Sequence, residues 1–158
     1  MTFEIVPATA ADAGAITAVV NAAYRVEDFF KVGDRTNEAE IAALLAEETF
    51  LVTRAADGSV IGSVRVSVSG GRGHFGMLSV APATQGTGLG RALIEAAERF
   101  ARDHGCTVMD LEVASPRTEL PDFYRKFGYE VTARADWPEH VLHELKSPAH
   151  FIVMSKPL

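Results

Sequence analysis

The sequence has 158 residues and a mass of 17.0 kDa, which predicts one domain over residues 1–158. Hydrophobic residues make up 47% and charged residues 23%, a composition that builds a core and excludes a mainly disordered chain. The one cysteine, Cys106, excludes a disulfide framework, and the net charge of −6 argues against broad binding of nucleic-acid phosphates. We find no signal-peptide pattern and no apolar run of the ~20 residues that a membrane span needs. We therefore expect a cytoplasmic protein with neither a nucleic-acid nor a membrane partner.

The first part of the chain predicts a strand and two helices. The segment Met1–Pro7 alternates as a strand does, with Phe3 and Ile5 on one side. The segment Thr9–Asp12 has the pattern of a capping box that opens a helix. Thr36 is predicted to cap a second helix, because two glutamates follow it in the first turn, where the helix dipole favours acidic residues.

The middle of the chain predicts three strands joined by short turns. The first two flank an Asp-Gly pair at 57–58, which is typical of a hairpin, and the third ends before Ala81 and Pro82. The predicted strands are Thr49–Arg54, Val60–Ser69 and His74–Val80.

The second half predicts a long helix over Gly88–His104 and then a strand over Thr107–Val113. Because that strand is mostly apolar, we expect it to be central and covered on both faces. Thr118 is predicted to cap a short helix. Two final strands, separated by a loop over residues 136–147, are predicted at Tyr129–Arg134 and His150–Lys156.

This element order predicts the fold class. Strands joined by short turns pair antiparallel, whereas the strand-helix-strand unit over residues 74–113 requires a parallel, right-handed crossover. We therefore expect an α/β (α+β) fold with a mixed, mostly antiparallel sheet, a central parallel pair and helices on both faces.

The loop before the long helix carries the chemistry. It holds three glycines at alternate positions, Gly86, Gly88 and Gly90, and Arg91 follows them. Alternate glycines let backbone N–H groups point toward one ligand, and the start of a helix adds a positive dipole end. The loop is therefore predicted to bind a phosphate or pyrophosphate. The Walker A pattern is absent, and the G-x-G-x-x-G letters at Gly71–Gly76 lie in a hairpin rather than before a helix.

Two motifs together resemble those of the GNAT superfamily of N-acetyltransferases. The pattern Q-x-x-G-x-G-R over Gln85–Arg91 resembles the family's coenzyme A pyrophosphate loop, and Leu120–Tyr129 resembles its downstream F-Y-x-x-x-G-[FY] signature. The closest likeness is to bacterial members with A-Y-R-x-E after the first helix and R-x-E-L-x-x-F-Y before the second motif. The element order also looks like the GNAT core over essentially the whole chain.

The resemblance implies acetyl-CoA as cosubstrate and assigns its contacts. The backbone of the third strand would hold the pantetheine arm, and the glycine loop would hold the pyrophosphate. Arg117 stands where many members have asparagine, so a contact is either lost or replaced by one from Arg117 to a cofactor phosphate. The cofactor-binding set implied is Leu78, Ser79, Val80, Gln85, Gly86, Thr87, Gly88, Leu89, Gly90, Arg91 and Arg117.

The resemblance also implies catalytic residues. Tyr124 matches the family tyrosine that acts as general acid at the departing sulfur; the alternative is an aromatic packed beneath the sheet. Glu112 falls where members that acetylate protein N-termini carry a glutamate able to relay a proton through water, the alternative being a salt bridge, for instance to Arg117. His74 is a second candidate base, and a reaction without a dedicated base stays open.

The acceptor site is less clearly encoded. Tyr24 and Glu27 lie in the segment that walls the acceptor cleft in similar proteins, together with two phenylalanines at 29 and 30. Glu27 could hold an ammonium group and Arg35 a carboxylate; the alternative is a solvated loop. A late segment that could close the cleft contains Trp137, Glu139, His140, His143 and Glu144. Its histidines do not complete an H-E-x-x-H motif, so no metal is expected.

The sequence therefore predicts an acetyl-CoA-dependent N-acetyltransferase that acts on a primary amine of a small molecule or peptide, by direct attack in a ternary complex. The alternative is a module on the same fold that binds or senses acetyl-CoA without catalysis. A third reading, acetylation of aminoacyl-tRNA, is disfavoured by the acidic charge. Homodimers are frequent in similar proteins, so a homodimer is predicted.

Overall fold

The computed structural model describes residues 2–158, and the predicted first strand began at Met1, which lies outside them. Residues 2–158 contain four α-helices: α1 (Ala13–Tyr24), α2 (Glu38–Glu47), α3 (Leu89–Asp103) and α4 (Leu120–Arg125). The described part of the chain also contains seven strands: β1 (Val6–Pro7), β2 (Thr49–Arg54), β3 (Val60–Ser69), β4 (Arg72–Val80), β5 (Val108–Ala114), β6 (Glu130–Asp136) and β7 (His150–Pro157). The late loop contains a 3₁₀ turn over Glu139–Glu144.

The seven strands form one sheet in the order β1-β2-β3-β4-β5-β7-β6. Every neighbouring pair is antiparallel except β4 and β5, which are parallel. The crossover between those two strands is α3, because parallel strands cannot be joined by a tight turn. The predicted fold class is therefore confirmed.

Each face of the sheet buries its own apolar cluster. On one face, α3 and the aromatic residues of α4 pack on β3, β4 and β5, with Leu93 and Met109 fully buried. On the other face, α1 and α2 pack on β2 and β4, with Ile16 and Ile41 fully buried. Full burial of each of these side chains stabilises the fold by roughly 1.5–3 kcal/mol. The two clusters therefore hold the helices on the sheet.

The prediction that β5 is covered on both faces is wrong. Met109, Leu111 and Val113 face the α3 side and are buried, whereas Asp110 and Glu112 alternate with them and face the opposite side. That side is open at β5 because α1 and α2 lie over the earlier strands. The two carboxylates that interrupt this apolar run therefore lie on a face of the strand that is open to solvent.

Helix starts differ from the predicted caps in two places. Asn37, not Thr36, caps α2, because its side chain accepts the Glu40 N–H at 2.8 Å. Glu119, not Thr118, immediately precedes α4. At the first helix the Thr9 N–H donates to the Asp12 carboxylate at 2.8 Å, but the turn between them is 3₁₀ and α1 begins one residue later.

Two glycines let α3 lie close to the sheet. A Cβ on Gly62 would come within 2.8 Å of a Leu89 methyl, and one on Gly73 within 2.8 Å of the Ala101 Cβ. Real Cβ atoms do not approach so closely. The bare backbone at these two positions therefore sets the distance between helix and sheet.

A β-bulge in β4 opens the sheet where the site lies. Met77 and Leu78 together face the single residue Val64 of β3, and Met77 has a φ of 50°, in the left-handed region. The Ser79 hydroxyl donates to the Met77 carbonyl at 3.0 Å, across this irregularity. A bulge bends the strand that carries it. Consequently β4 and β5 pair only from Arg72 to His74 and then diverge.

Candidate active site

The divergence of β4 and β5 produces a cavity of about 1200 Å³. It is lined by both strands, by the start of α3, by α4 and by the segments 25–37 and 137–144. Its volume exceeds the roughly 300–1,000 Å³ of an ordinary small-ligand pocket. The cavity can therefore hold a large ligand together with a second, smaller one.

The glycine loop forms one end of this cavity. Gly86 and Gly88 have φ values of 81° and 88°, which only glycine adopts without strain, and open space lies where their Cβ atoms would be. Gly90 lies in α3 with helical backbone angles, so only Gly86 and Gly88 of the three loop glycines are required by their backbone conformation. Among the described residues, the amides of residues 86–91 have no backbone acceptor. A row of free N–H groups at the start of a 15-residue helix is an anion site.

The side chains of the loop support its shape rather than fill the cavity. The Thr87 hydroxyl donates to the Thr84 carbonyl at 2.6 Å, and the Gln85 amide reaches the Val80 carbonyl at 3.5 Å. Thr87 does not line the cavity, whereas Gly86, Leu89 and Arg91 do. The Arg91 guanidinium lies 4.8 Å from the Phe127 ring centroid, without a carboxylate partner in the described part of the chain. The loop thus fits a pyrophosphate through its backbone and one free cation.

The bulged strand offers further backbone groups. Leu78 and Val80 line the cavity, and the β5-facing edge of β4 is unpaired beyond His74. Ser79 points to the other side of the sheet and is 1% exposed, so only its backbone is available. Unpaired strand edges bind extended, amide-bearing groups, which describes the pantetheine arm.

Tyr124 lines the cavity on the α4 side. Its ring packs edge-on against Phe75, Phe123 and Tyr129 at centroid distances of 6.0, 5.1 and 6.1 Å. Its hydroxyl makes no hydrogen bond to any described residue, and burial raises the pKa of the phenol well above its usual range. The tyrosine is therefore both a packed aromatic and a neutral donor that faces the cavity.

Glu112 and His74 form a pair on the wet side of the parallel strands. The His74 Nε2 lies 3.7 Å from a Glu112 carboxylate oxygen, and both residues line the cavity. The neighbouring His74 imidazole lowers the pKa of Glu112, which is therefore ionised at neutral pH. The salt-bridge alternative for Glu112 thus has His74 as its partner, whereas Arg117, the partner suggested from the sequence, pairs elsewhere.

Arg117 is committed to two carboxylates. Its Nη1 donates to Glu27 at 3.0 Å, and its Nε donates to Glu119 at 3.0 Å. Burial raises the pKa of Glu27, and the charge of Arg117 lowers it by a smaller amount. A phosphate contact from Arg117 is left without support, and so is an ammonium site at Glu27. The A-Y-R-x-E and R-x-E-L-x-x-F-Y patterns of the sequence meet here, because Glu27 ends the first and Arg117 begins the second.

Other predicted acceptor residues also reach the cavity. Tyr24 lines it, with the Arg35 guanidinium carbon 5.4 Å from its ring centroid, and burial raises the pKa of its phenol. The solvated-loop alternative is wrong for Glu27 and Phe30, which are buried, and right for Phe29, which is exposed. The late loop contributes three predicted residues to the lining, which are Trp137, His140 and Glu144.

The sequence reasoning missed two features of this site. Lys31, at the lining and 5% exposed, was hidden because a lysine after an aromatic pair has no characteristic signal. The bulge at Met77 was also missed, since the sequence has no glycine at the residue with positive φ.

Within residues 2–158, no group of three or more His, Cys, Asp or Glu could hold a metal ion. In the same range, no helix is both long and apolar enough to cross a membrane.

Comparison with known proteins identifies the family. A model of the acetyltransferase (GNAT) family matches residues 17–129, more than half of the chain. The chain therefore belongs to the GNAT family of acetyltransferases, as its motifs predicted. No curated protein matches its sequence.

Several solved structures share the fold at low sequence identity. The IAA acetyltransferase of Bacillus cereus ATCC 14579 has a TM-score of 0.77 and 17% identity, over 99% of this chain and 100% of that one. The ribosomal-protein-S18-alanine N-acetyltransferase of Escherichia coli has a TM-score of 0.77 and 18% identity, over 99% and 94%. The protein yncA of Salmonella typhimurium, solved with its cofactor acetyl-CoA, has a TM-score of 0.75 and 23% identity, over 100% and 95%.

Proposed function

We propose that this protein transfers an acetyl group from acetyl-CoA to a primary amine of a small molecule or peptide, by direct attack in a ternary complex. One observation carries the proposal: the free amides of the glycine loop and the unpartnered Tyr124 hydroxyl face one cavity that is large enough for two substrates. Membership of the GNAT family supports it, as does the acetyl-CoA bound to the yncA structure.

Acetyl-CoA supplies the acetyl group as a thioester, and the chain supplies its binding site. The amides of residues 86–91 and the Arg91 guanidinium bind the pyrophosphate. The unpaired edge of β4 at Leu78–Val80 binds the pantetheine arm by backbone hydrogen bonds. These contacts hold the thioester carbonyl in the opening between β4 and β5.

Tyr124 assists the departing sulfur. A C–N bond forms as the C–S bond breaks, and the proton that the amine nitrogen loses is matched by the proton that the sulfur gains. The raised pKa keeps the Tyr124 phenol protonated through the neutral range, so it donates a hydrogen bond to the sulfur as negative charge develops there. Burial disfavours a free tyrosinate, so a proton given to sulfur must be replaced from the amine.

Before the attack, Glu112 and His74 accept through water the proton that an ammonium must lose to become a neutral amine, whereas the proton lost after the C–N bond forms goes to the sulfur through Tyr124. Glu112 is ionised and lies at the lining beside His74, so the pair can take a proton at the surface of the cavity. A general base of this kind contributes typically 10²–10⁴-fold to a rate, as does a general acid.

The Tyr124→Phe variant tests the proposal. It keeps the ring in the aromatic cluster and removes only the hydroxyl, so folding and acetyl-CoA affinity are expected to be unchanged. We expect kcat for amine acetylation to fall about 100-fold. Full turnover by the variant at every pH would remove the general-acid role. Acetyl-CoA binding without transfer to any amine, in the unaltered protein, would favour the non-catalytic module.

Three further statements stay predictions from the sequence: a single domain over residues 1–158, a cytoplasmic location and a homodimer. Gel filtration with light scattering measures the oligomeric state directly.

A further inference from the structure

Three hydrogen-bond donors in the cavity have no acceptor among residues 2–158. The Lys31 ammonium forms neither a hydrogen bond nor a salt bridge, although the residue is 5% exposed. Arg35 stacks on Tyr24 and has no carboxylate partner. The indole N–H of Trp137 is buried without an acceptor. An unmatched buried N–H such as that of Trp137 is costly, and the two cations of the same cavity lack an acceptor, so this group of donors points to oxygen atoms that a ligand supplies.

The three donors belong to one region. Arg35 and Lys31 both act electrostatically on the buried carboxylate of Glu27. The segment that carries Lys31 pairs with the late loop, since the Val32 N–H donates to the Glu144 carbonyl at 2.7 Å. Trp137, at the start of that loop, lies edge-on to the ring of Phe30 at 6.3 Å. All three donors therefore belong to the linked segments 25–37 and 137–144 of the cavity lining, and none belongs to the glycine loop.

None of the described carboxylates nearby forms an ion pair with Lys31 or Arg35. Glu27 is paired with Arg117, which is itself shared with Glu119. Asp34 is paired with Arg25, and the Glu40 carboxylate accepts the Thr36 hydroxyl at 2.6 Å. Glu144 also lines the cavity but forms no salt bridge with a described residue. Lys31 and Arg35 thus have no ion-pair partner in this part of the lining, where the Glu40 and Glu144 carboxylates form no salt bridge either.

We propose that the amine acceptor also carries a carboxylate, and that Lys31, with Arg35 and the Trp137 N–H, binds that carboxylate. The substrate class is therefore a free amino acid rather than a simple amine. This inference rests on the proposed acetyl transfer and adds the chemistry of the acceptor to it. Lys31 is a binding residue here, so its loss acts on acceptor affinity and leaves acetyl-CoA affinity unchanged.

The test compares each of a panel of L-amino acids with its own carboxamide, by release of CoA. The amide removes the charge and keeps the side chain. Because the amine of an amide is less basic, more of it is neutral at a given pH, so intrinsic reactivity favours the amide. The variants are Lys31→Met, Lys31→Arg, and Lys126→Met as a matched control on an exposed lysine outside the cavity.

We expect kcat/KM for an accepted acid to exceed that for its amide about tenfold or more, since hydrogen bonds to charged groups are the stronger ones. Lys31→Met is expected to abolish this preference by raising KM, whereas Lys31→Arg and Lys126→Met keep it. Equal use of acids and amides, or a preference unchanged in Lys31→Met, would overturn the inference and leave the proposed function standing. Transfer to no compound in either set, while simple amines or peptides are acetylated, would overturn the inference alone; transfer to none of these compounds, despite acetyl-CoA binding, would overturn both.

Discussion

The pair between Arg117 and Glu27 gives a prediction that separates stability from cofactor binding. The two side chains are only 14% and 8% exposed, and their nitrogen and oxygen atoms lie 3.0 Å apart. Replacing Arg117 by Met keeps much of the volume and leaves Glu27 buried without its partner. Removing one member of a buried ion pair typically costs 3–5 kcal/mol. We expect the lower end, about 3 kcal/mol, because Lys31 and Arg35 still act on Glu27.

For a chain of this size each kcal/mol changes the Tm by roughly 2–4 °C, so Arg117→Met is expected to melt about 6–12 °C lower. The double variant Glu27→Gln with Arg117→Met is expected to recover part of this loss, because no charge is then buried alone. Urea unfolding of all three proteins measures the loss as a change in midpoint. Acetyl-CoA affinity, measured by calorimetry, is expected to be unchanged, since the guanidinium points to Glu27 and not to the glycine loop.

Arg125→Met is the matched control. Its side chain is 44% exposed and pairs with Asp122 at 2.7 Å, so its loss is expected to cost at most about 1 kcal/mol. An Arg117→Met variant as stable as this control, but about tenfold weaker for acetyl-CoA, would refute the reasoning and return Arg117 to the cofactor site.

Two other predictions concern packing and alkaline stability. Gly73→Ala would bring a methyl group within 2.8 Å of the Ala101 Cβ, and such overpacking is expected to cost about 1–3 kcal/mol in urea unfolding; no loss would contradict the described helix position. Burial raises the pKa of every tyrosine, so the folded state favours neutral phenols and loses stability above about pH 10. Tyrosinate absorbance is expected to rise only with unfolding; a gradual rise with unchanged circular dichroism would contradict it.

Local patterns in the sequence predicted most of the fold. The hairpin at residues 57–58 gave the strands β2 and β3 with the bounds observed, because an Asp-Gly pair between alternating residues specifies one turn. The amphipathic α3 was predicted to within a residue at each end, since its glycines mark both limits. The glycine loop was predicted from the alternate spacing of its glycines before a helix, because that local pattern is enough to indicate free amides at a helix start.

What the sequence did not reveal depends on contacts between distant residues. Arg117 and Glu27 are 90 positions apart, and only the fold brings them together. The bulge at Met77 lies where β4 passes between two apolar clusters, and no glycine marks it in the sequence. Asp110 and Glu112 were assigned to a covered strand because the apolar letters around them outweighed their alternation.

The central claim is that the glycine loop binds acetyl-CoA, and a thermal melt with and without acetyl-CoA tests it most directly. The variants are Gly88→Glu and Gly58→Glu, two matched glycines with φ of 88° and open space beside them, of which only Gly88 lines the cavity. Both variants carry the same backbone strain, of roughly 1–2 kcal/mol, but only one places a carboxylate where the pyrophosphate would lie.

Acetyl-CoA at about 100 times its Kd stabilises a protein by roughly 2.7 kcal/mol, which corresponds to about 5–11 °C here. The account predicts this increase in the unaltered protein and in Gly58→Glu, and its loss in Gly88→Glu. No increase in the unaltered protein, or an equal increase in Gly88→Glu, would contradict the account and reduce the loop to a turn between a strand and a helix.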